Sequence, residues 1–373
     1  MFTPCGYSGG MTGEKFITKP LSLWLDLIRA IAALVVVVGH AYQLKMYTGF
    51  YPFTISLQLN AVVVFFVLSG LVIASSSDAE GHTLASFAAA RLARILPVAL
   101  PVLALSYGLA AYCSAQGFVP SPMGGDPGVI SPLRTLYAAL FLSESLSSGL
   151  AINPPYWSLC YEVWFYTMFG IATFLKGTTR IIALIIACAI AGANILLLLP
   201  AWLAGVYLAR MKTFAVISPT QARLRITLAL TALFVACVVA PAFATVFWKI
   251  ASWDLGQSHY APSYILLAFC CAYGLTGLRA LLGSDNTSLE RFAKPIRWTA
   301  DMSFSLYLLH WPLLTVLRAN GVSAGGNLFG FLAIITAVVA VSGVFAALTE
   351  HRRKPLRKAL ERLFSAAPQR APA

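Results

Sequence analysis

Two residues with chemical potential stand on one apolar segment, LWLDLIRAIAALVVVVGHAYQL, at positions 23–44. Arg29 and His40 are eleven residues apart, so on a helix they lie within about 20° of each other and roughly 16 Å apart along the axis. An arginine at membrane depth costs roughly 2.5–3.5 kcal/mol even on lenient insertion scales. A functional role for both residues is therefore the favoured interpretation. The alternative is a structural ion pair between Asp26 and Arg29, which leaves His40 unexplained.

Polar side chains also interrupt other apolar segments. Arg91 and Arg94, in ARLARILPVALP, have the i, i+3 spacing that places both on one helix face. Paired arginines can grip phosphate bidentately, although positive-inside anchoring is the simpler explanation of their position. Glu162 lies in PPYWSLCYEVWFY, and a carboxylate at the depth of His40 predicts an orienting or proton-transfer pair. The alternative for Glu162 is a salt bridge to another cation within the membrane.

A third polar group lies near the end of the chain, in ADMSFSLYLLHWPLL. Tyr307 and His310 share one helix face there, and a hydrogen-bonded contact between helices is the alternative to a catalytic role. No histidine or carboxylate pair has the i, i+4 spacing of a ligand pair, so the sequence predicts no metal site. Ser69, in FFVLSGLVIA, is better explained by close helix packing than by nucleophilicity.

The composition specifies the elements that must position these residues. Hydrophobic residues make up 59% of the chain, charged residues make up 10%, and the mean hydropathy is +0.79. Soluble domains average about 25% charged residues, so the sequence predicts a polytopic helical membrane protein. The net charge of +13 comes from short basic clusters between apolar segments. That pattern encodes membrane topology and gives little support to nucleic-acid binding.

Ten apolar segments are candidate spans, the shortest of them being the least typical. They lie near 21–44, 57–76, 93–113, 157–175, 180–199, 200–211, 226–248, 262–282, 300–318 and 327–349. An eleventh stretch, 133–142, is too short to cross alone, because a span needs about 20 residues. With ten crossings, the basic loops fall on the cytoplasmic side. The predicted fold is an all-α polytopic transmembrane bundle of about ten spanning helices with both termini cytoplasmic.

This topology divides the chain into three parts. Residues 1–20 form a cytoplasmic segment, 21–349 the transmembrane domain, and 350–373 a basic cytoplasmic tail. No small-residue cleavage site follows the first apolar run, so it is expected to be a retained helix rather than a signal peptide. Within the domain, 114–156 is a long extracytoplasmic or re-entrant segment. A segment of that length is functional or disordered, and we interpret it as part of an acceptor-binding surface.

Five blocks in fixed order resemble the membrane-bound acyltransferase family 3. LDLIRAIAALVVVVGH is similar to its first-helix signature, FFVLSGLVIA to its second-helix block, and RLAR to its Arg-x-x-Arg motif. PPYWSLCYEVWFY resembles its Trp-Ser-Leu-x-x-Glu segment, and FSLYLLHWPLL its Tyr-Leu-x-His block. The blocks extend from residue 25 to about residue 312. Cys160, Tyr161 and the ending HRRKP depart from the usual pattern, which affects the choice of substrate more than the family.

The resemblance implies a stand-alone, multi-pass O-acyltransferase of the inner (plasma) membrane. Members move an acyl group, usually acetyl from acetyl-CoA, to a hydroxyl of an envelope glycan or lipid-linked saccharide. The residues regarded as essential in the family correspond to Arg29, His40, Arg91 and Arg94. The resemblance therefore predicts acyl-CoA as a co-substrate with no bound cofactor. The expected partners are a saccharide acceptor and membrane lipid, with no nucleic acid.

Topology and resemblance together lead to a mechanistic hypothesis. Arg91 and Arg94 hold the CoA phosphates at the inner entrance, and His40 takes the proton of the sugar hydroxyl as a general base. Glu162 orients the imidazole, and Arg29 stabilises the oxyanion or thiolate. A route through acyl-His40 is open. The rivals are a proton-coupled secondary transporter of an anionic solute and a non-catalytic membrane partner or sensor.

Overall fold

The described part of the chain is built from helices alone. The computed structural model describes residues 15–52, 56–77, 82–118, 132–147, 149–250, 255–283, 289–350 and 353–365. Within these ranges there is no strand, and the structure is 84% helix, which confirms the predicted all-α class. The α-helices of the described ranges are α1 (Lys19–Gln43), α2 (Ser56–Ser77), α3 (Leu84–Ala115), α4 (Pro132–Ala139), α5 (Ser143–Leu146), α6 (Tyr156–Phe174), α7 (Gly177–Arg210), α8 (Pro219–Ile250), α9 (Ala261–Leu282), α10 (Ala293–Ala319), α11 (Leu328–Thr349) and α12 (Arg353–Ser365).

Among the described residues, seven helices are long and apolar enough to cross a membrane. They are α1, α2, α3, α7, α8, α9 and α11. Helices α6 and α10, which carry Glu162 and His310, also cover predicted spans but are not among these seven. The chain is therefore a multi-pass membrane protein. The count of ten crossings and the cytoplasmic side of both termini stay predictions.

The boundary between two predicted spans was placed wrongly. The sequence predicted separate helices at 180–199 and 200–211, but Pro200 lies inside the continuous second half of α7. The break is at Gly192, whose φ of 78° and ψ of 172° interrupt the helix. Glycine adopts a positive φ without the steric cost that a Cβ imposes. The backbone freedom of Gly192, rather than the proline, therefore decides where the helix breaks.

The chain turns back at Gly192. Before it, the Cys188 Sγ lies 3.8 Å from the Met168 Sδ. After it, the guanidinium carbon of Arg210 lies 6.0 Å from the centroid of the Phe169 ring. A straight helix would separate residues 188 and 210 by about 33 Å, yet both contact adjacent residues of α6. The two halves of α7 are therefore antiparallel.

Helix α3 begins earlier than the predicted span 93–113. Thr83 is its N-cap, and a capping box joins the two ends of the first turn. The Ser86 amide donates to the Thr83 hydroxyl at 3.2 Å, and the Thr83 amide donates to the Ser86 hydroxyl at 2.9 Å. Such a box satisfies backbone donors that a helix start leaves open. Arg91 and Arg94 consequently lie two to three turns inside α3 rather than at its start.

Helices α2 and α7 approach each other through two glycines. A Cβ built on Gly70 would overlap the carbonyl oxygen of Trp202, and one built on Gly205 would overlap the carbonyl oxygen of Val67. Small residues permit this backbone approach, which gives membrane helices much of their packing energy. The contact fixes the helix that carries Ser69, a residue of the cavity described below.

Gly205→Ala is expected to destabilise the bundle by about 1–3 kcal/mol, because the added methyl forces α2 and α7 apart. The measurement is the thermal unfolding midpoint of the purified protein in detergent. Gly108→Ala is the matched control, because a Cβ at this exposed glycine of α3 meets no heavy atom within 4 Å and alanine favours the helix. Equal midpoints for Gly205→Ala and the wild type would contradict this account of the packing.

The described part of the segment 114–156 packs onto α6. The Tyr156 hydroxyl donates to the Ala138 carbonyl at 3.1 Å, and the Trp164 indole donates to the Phe141 carbonyl at 3.1 Å. The stretch 133–142 overlaps the eight-residue helix α4 (Pro132–Ala139), which is too short to cross a bilayer. The Pro/Gly-rich part of the segment 114–156, FVPSPMGGDPG, lies outside the described residues apart from Phe118. The predicted role in acceptor binding stays a prediction.

The predicted basic tail contains a helix that packs on the bundle. Helix α12 lies against α3, and the Arg353 guanidinium lies 3.8 Å from the Asp301 carboxylate of α10. Just before it, the Ser305 hydroxyl donates to the Glu350 carboxylate at 2.6 Å. The described part of this segment is therefore tied to two of the helices that carry predicted site residues.

Candidate active site

Helices α1, α2, α3, α6 and α10 surround a cavity with a volume of about 90 Å³. Aromatic and aliphatic side chains form much of its wall. The polar residues of the lining are Arg29, Arg91, Arg94, Glu162, Ser69, Ser158, Tyr166, Ser303 and Tyr307. Five of the eight predicted site residues, contributed by four helices, thus meet around one cavity. We call it the arginine cavity.

Arg29 reaches the arginine cavity from α1 and is held there by Asp26. Its Nη1 donates to the Asp26 carboxylate at 3.2 Å, and both side chains are largely buried. This is the i, i+3 pair that the sequence offered as a structural alternative. The pair and the cavity position are compatible, because Asp26 is not a lining residue and leaves the remaining donors of the guanidinium available. Asp26 is therefore a positioning partner of Arg29.

Arg91 and Arg94 reach the same cavity from α3. The Arg91 guanidinium carbon lies 5.9 Å from the centroid of the Phe87 ring and 6.0 Å from that of Tyr166. These rings hold a cation in a defined position. The Nε of Arg91 is buried and has no acceptor among the described residues. A buried donor without a partner costs about 1–3 kcal/mol, so a ligand oxygen placed here would relieve that cost.

Glu162 is the carboxylate of the lining, on α6. Ser158 and Tyr166, four residues before and after it, share its helix face and also line the cavity. Among the described residues Glu162 makes no direct ion pair, although it lies within electrostatic range of Arg29 and Arg91. Three guanidinium groups and one carboxylate give the lining a net charge of +2. The cavity therefore favours an anionic ligand or a developing negative charge.

His40 has a different partner from the one predicted. Its Nδ1 lies 2.8 Å from the Nε2 of His310 on α10, and the two ring planes are within 8° of each other with centroids 5.0 Å apart. Trp311 packs edge-on against His40 at 5.2 Å. His310 is fully buried, whereas His40 keeps a partly exposed side chain. The expected pair between His40 and Glu162 is absent from the described contacts.

The depth of Glu162 explains the difference. The Tyr307 hydroxyl donates to the Pro155 carbonyl at 3.1 Å, which aligns Tyr307 with the start of α6. His310 lies one turn beyond Tyr307. Glu162 is the seventh residue of α6 and lies about 10 Å from Pro155 along the helix axis. It is therefore on the opposite side of Tyr307 from His310. Helix α1 packs along α10, so α10 rather than α6 supplies the neighbour of His40.

Tyr307 connects the arginine cavity to the histidine pair. It lines the cavity, its hydroxyl lies 2.7 Å from that of Ser158, and its ring centroid lies 6.0 Å from that of His310. His40 itself is not a lining residue. Tyr307 therefore lies between the guanidinium groups of the cavity on one side and the two histidines on the other.

Pro312 helps to fix α10 in this position. A proline inside a helix has no N–H for the carbonyl four residues earlier, which is that of Leu308. The Asn153 side-chain amide donates to this carbonyl at 2.9 Å. Because of the proline, the Leu308 carbonyl near His310 is available as an acceptor. The hydrogen bond from Asn153 anchors the segment before α6 to this carbonyl.

Sequence reasoning missed four hydroxyl groups of the cavity, those of Ser69, Ser158, Tyr166 and Ser303. Ser158 and Tyr166 were detectable as the i−4 and i+4 neighbours of Glu162. Ser69 was interpreted as a packing residue, but its hydroxyl lies 2.9 Å from that of Tyr166 and accepts from the Trp202 indole at 3.3 Å. No local pattern around Ser69 indicates those two partners, which come from other helices.

Comparison with known protein families gives one finding. A family model described as an acyltransferase domain, that of acyltransferase family 3, matches residues 22–347. The matched range contains every residue of the arginine cavity and both histidines. Comparison with curated proteins and comparison with solved structures give no match.

Proposed function

Because this chain belongs to acyltransferase family 3, a family of membrane acyltransferases, we propose that it moves an acyl group from cytoplasmic acyl-CoA to a hydroxyl of an extracytoplasmic glycan. Acetyl is the proposed acyl group, and the inner (plasma) membrane of the cell is the proposed location. The observation that carries the proposal is the convergence of Arg29, Arg91 and Arg94 on a cavity next to the His40–His310 pair. Ionisable residues within membrane helices are rare and mark functional sites.

The donor side of the proposal rests on the charge of the arginine cavity. CoA carries phosphate groups, and guanidinium groups bind phosphate through charge-assisted hydrogen bonds. A cavity of about 90 Å³ is too small for a whole CoA molecule, so only a part of the donor lies within it. The open Nε donor of Arg91 supports binding of a phosphate or thioester oxygen at this position.

The acceptor side rests on His40. The hydroxyl oxygen attacks the carbonyl carbon of the thioester, the C–S bond breaks, and the hydroxyl proton passes to His40. His40 then gives the proton to the CoA thiolate. Arg29 stabilises the negative charge that develops on the carbonyl oxygen or on sulfur. Transfer through acyl-His40 uses the same residues.

Glu162 has a revised role in this mechanism. It was expected to orient His40, but the imidazole is bonded to His310. Glu162 lies instead among the arginines, where its charge offsets part of their mutual repulsion. We assign to it the positioning of Arg29 and Arg91 around the donor.

A proton-coupled secondary transporter of an anionic solute is the alternative. Broken helices are common in transporters, with freed backbone groups facing the solute, and α7 is broken at Gly192. Here the carbonyls on either side of the break, those of Ala191 and Asn194, accept hydrogen bonds from Ser145 and Ser258. Neither flanking residue lines the arginine cavity. The break therefore gives the transporter weak support.

The proposed function is tested by mass spectrometry of envelope glycans. Glycans from cells with the gene, without it, and with a restored copy are compared. We expect acyl-modified glycan in the first and third samples and its loss in the second. Identical glycan masses in all three samples would overturn the proposal.

A further inference from the structure

The hydrogen bonds of His310 determine which of its nitrogens carries hydrogen. Its Nδ1 lies 3.1 Å from the Leu306 carbonyl oxygen. A carbonyl only accepts, so Nδ1 must be the donor. In neutral His310 the other nitrogen, Nε2, is then an acceptor.

The charge state of His310 follows from its surroundings. The side chain is fully buried, and its contacts are Leu306, Tyr307 and the His40 ring. No carboxylate within the described part of the chain pairs with either ring. A buried unpaired charge is strongly disfavoured, so His310 is neutral and its Nε2 accepts.

The same logic determines the tautomer of His40. The only neighbour of His310 Nε2 in this contact is the Nδ1 of His40, at 2.8 Å. That nitrogen must therefore donate. In neutral His40 the hydrogen sits on Nδ1, and Nε2 carries the free lone pair.

We propose that His310 is a positioning residue that holds His40 as the Nδ1–H tautomer, so that Nε2 of His40 is the nitrogen that takes the hydroxyl proton. This rests on the proposed function and extends it. The role is analogous to that of a carboxylate that fixes a catalytic histidine in the serine-hydrolase triads, with a neutral imidazole in its place. No charge needs to be buried for it.

The pair also suits the protonated state of His40. When Nε2 has taken the proton, Nδ1–H still points at the lone pair of His310, and the bond becomes charge-assisted and stronger. The hydrogen bond to His310, whose ring is nearly coplanar with that of His40, and the edge-on ring of Trp311 keep the imidazole from turning. The base therefore needs no reorientation between taking the proton and releasing it to the thiolate.

Two substitutions separate this role from packing. His310→Phe keeps an aromatic ring and removes the acceptor, whereas His310→Gln offers an amide oxygen close to the Nε2 position. We expect His310→Phe to lower kcat for acyl transfer by about 10–100-fold with little change in the donor KM, and His310→Gln to stay within several-fold of wild type. Equal activity of the Phe variant and wild type would overturn the proposal, as would equal loss in both variants.

A second measurement does not depend on activity. The purified protein in lipid, labelled with ¹⁵N-histidine, contains five histidines, and the signals of His40 are assigned by their loss in His40→Gln. We expect Nδ1 of His40 to carry hydrogen in the wild type and a mixture of tautomers in His310→Phe, while the exposed His82 is unchanged. Hydrogen on Nε2 in the wild type would overturn the proposal. If wild-type protein showed this tautomer but no acyl transfer, the proposed function would fail while the tautomer assignment stood.

Discussion

His40→Ala is expected to lower acyl transfer by at least about 10²-fold, and by up to roughly 10⁴-fold if His40 is the sole base. The alanine has no group that takes the hydroxyl proton, and it also removes the partner of His310. Transfer is measured as labelled acyl group in glycan, normalised to the amount of protein in the membrane. An even larger loss is expected if the acyl group passes through His40 itself.

His82→Ala is the matched control for this loss. His82 is an exposed histidine just before α3, and it contacts neither the arginine cavity nor the histidine pair. We expect its transfer activity to equal that of wild type. Near-normal transfer by His40→Ala at wild-type abundance would refute both the base and the acyl-enzyme versions of the mechanism.

The double substitution Arg91→Ala plus Arg94→Ala is expected to weaken donor binding by roughly 10²-fold or more. A hydrogen bond to a charged group contributes about 1.5–3 kcal/mol, and about 1.4 kcal/mol corresponds to a factor of ten in affinity. Binding of CoA to the purified protein is measured directly by calorimetry, so that the result does not depend on the chemical step.

Two comparisons sharpen the arginine experiment. Arg180→Ala plus Arg223→Ala removes the same charge from exposed positions outside the cavity and is expected to leave CoA affinity unchanged. Arg91→Lys keeps the charge but lacks the planar fork and the Nε–H, so it is expected to fall between wild type and the alanine variants. Unchanged CoA affinity in the double alanine variant would remove these residues from the donor site.

Features encoded by local spacing were predictable from the sequence. The apolar segments predicted the helices. Five of the polar residues that interrupt these segments line one cavity in the structure. The family resemblance assigned roles to four residues, Arg29, His40, Arg91 and Arg94. The five residues lie together in the structure because a charged or polar residue in a membrane helix favours a polar interior, whichever helix lies opposite.

Features that depend on which helices are neighbours were not predictable. Residue counting placed Glu162 at the depth of His40, but Glu162 lies on the opposite side of Tyr307 from His310, and the adjacent helix α10 supplies His310 as the partner of His40. The predicted boundary between 199 and 200 missed the break at Gly192, because a positive φ at one particular glycine is not specified by local spacing. The start of α3 was set by a capping box of Thr83 and Ser86, polar residues that lie before the apolar run.

The central claim is that one active site joins a cytoplasmic donor to an acceptor outside. It is tested by adding labelled acetyl-CoA to inside-out membrane vesicles, whose cytoplasmic face is accessible, and following the label. We expect label in glycan inside the vesicles for wild-type protein and for His82→Ala, and at least about 10²-fold less label for His40→Ala. Unlabelled glycan in wild-type vesicles, together with CoA-independent uptake of an anionic solute, would contradict the account and identify a transporter.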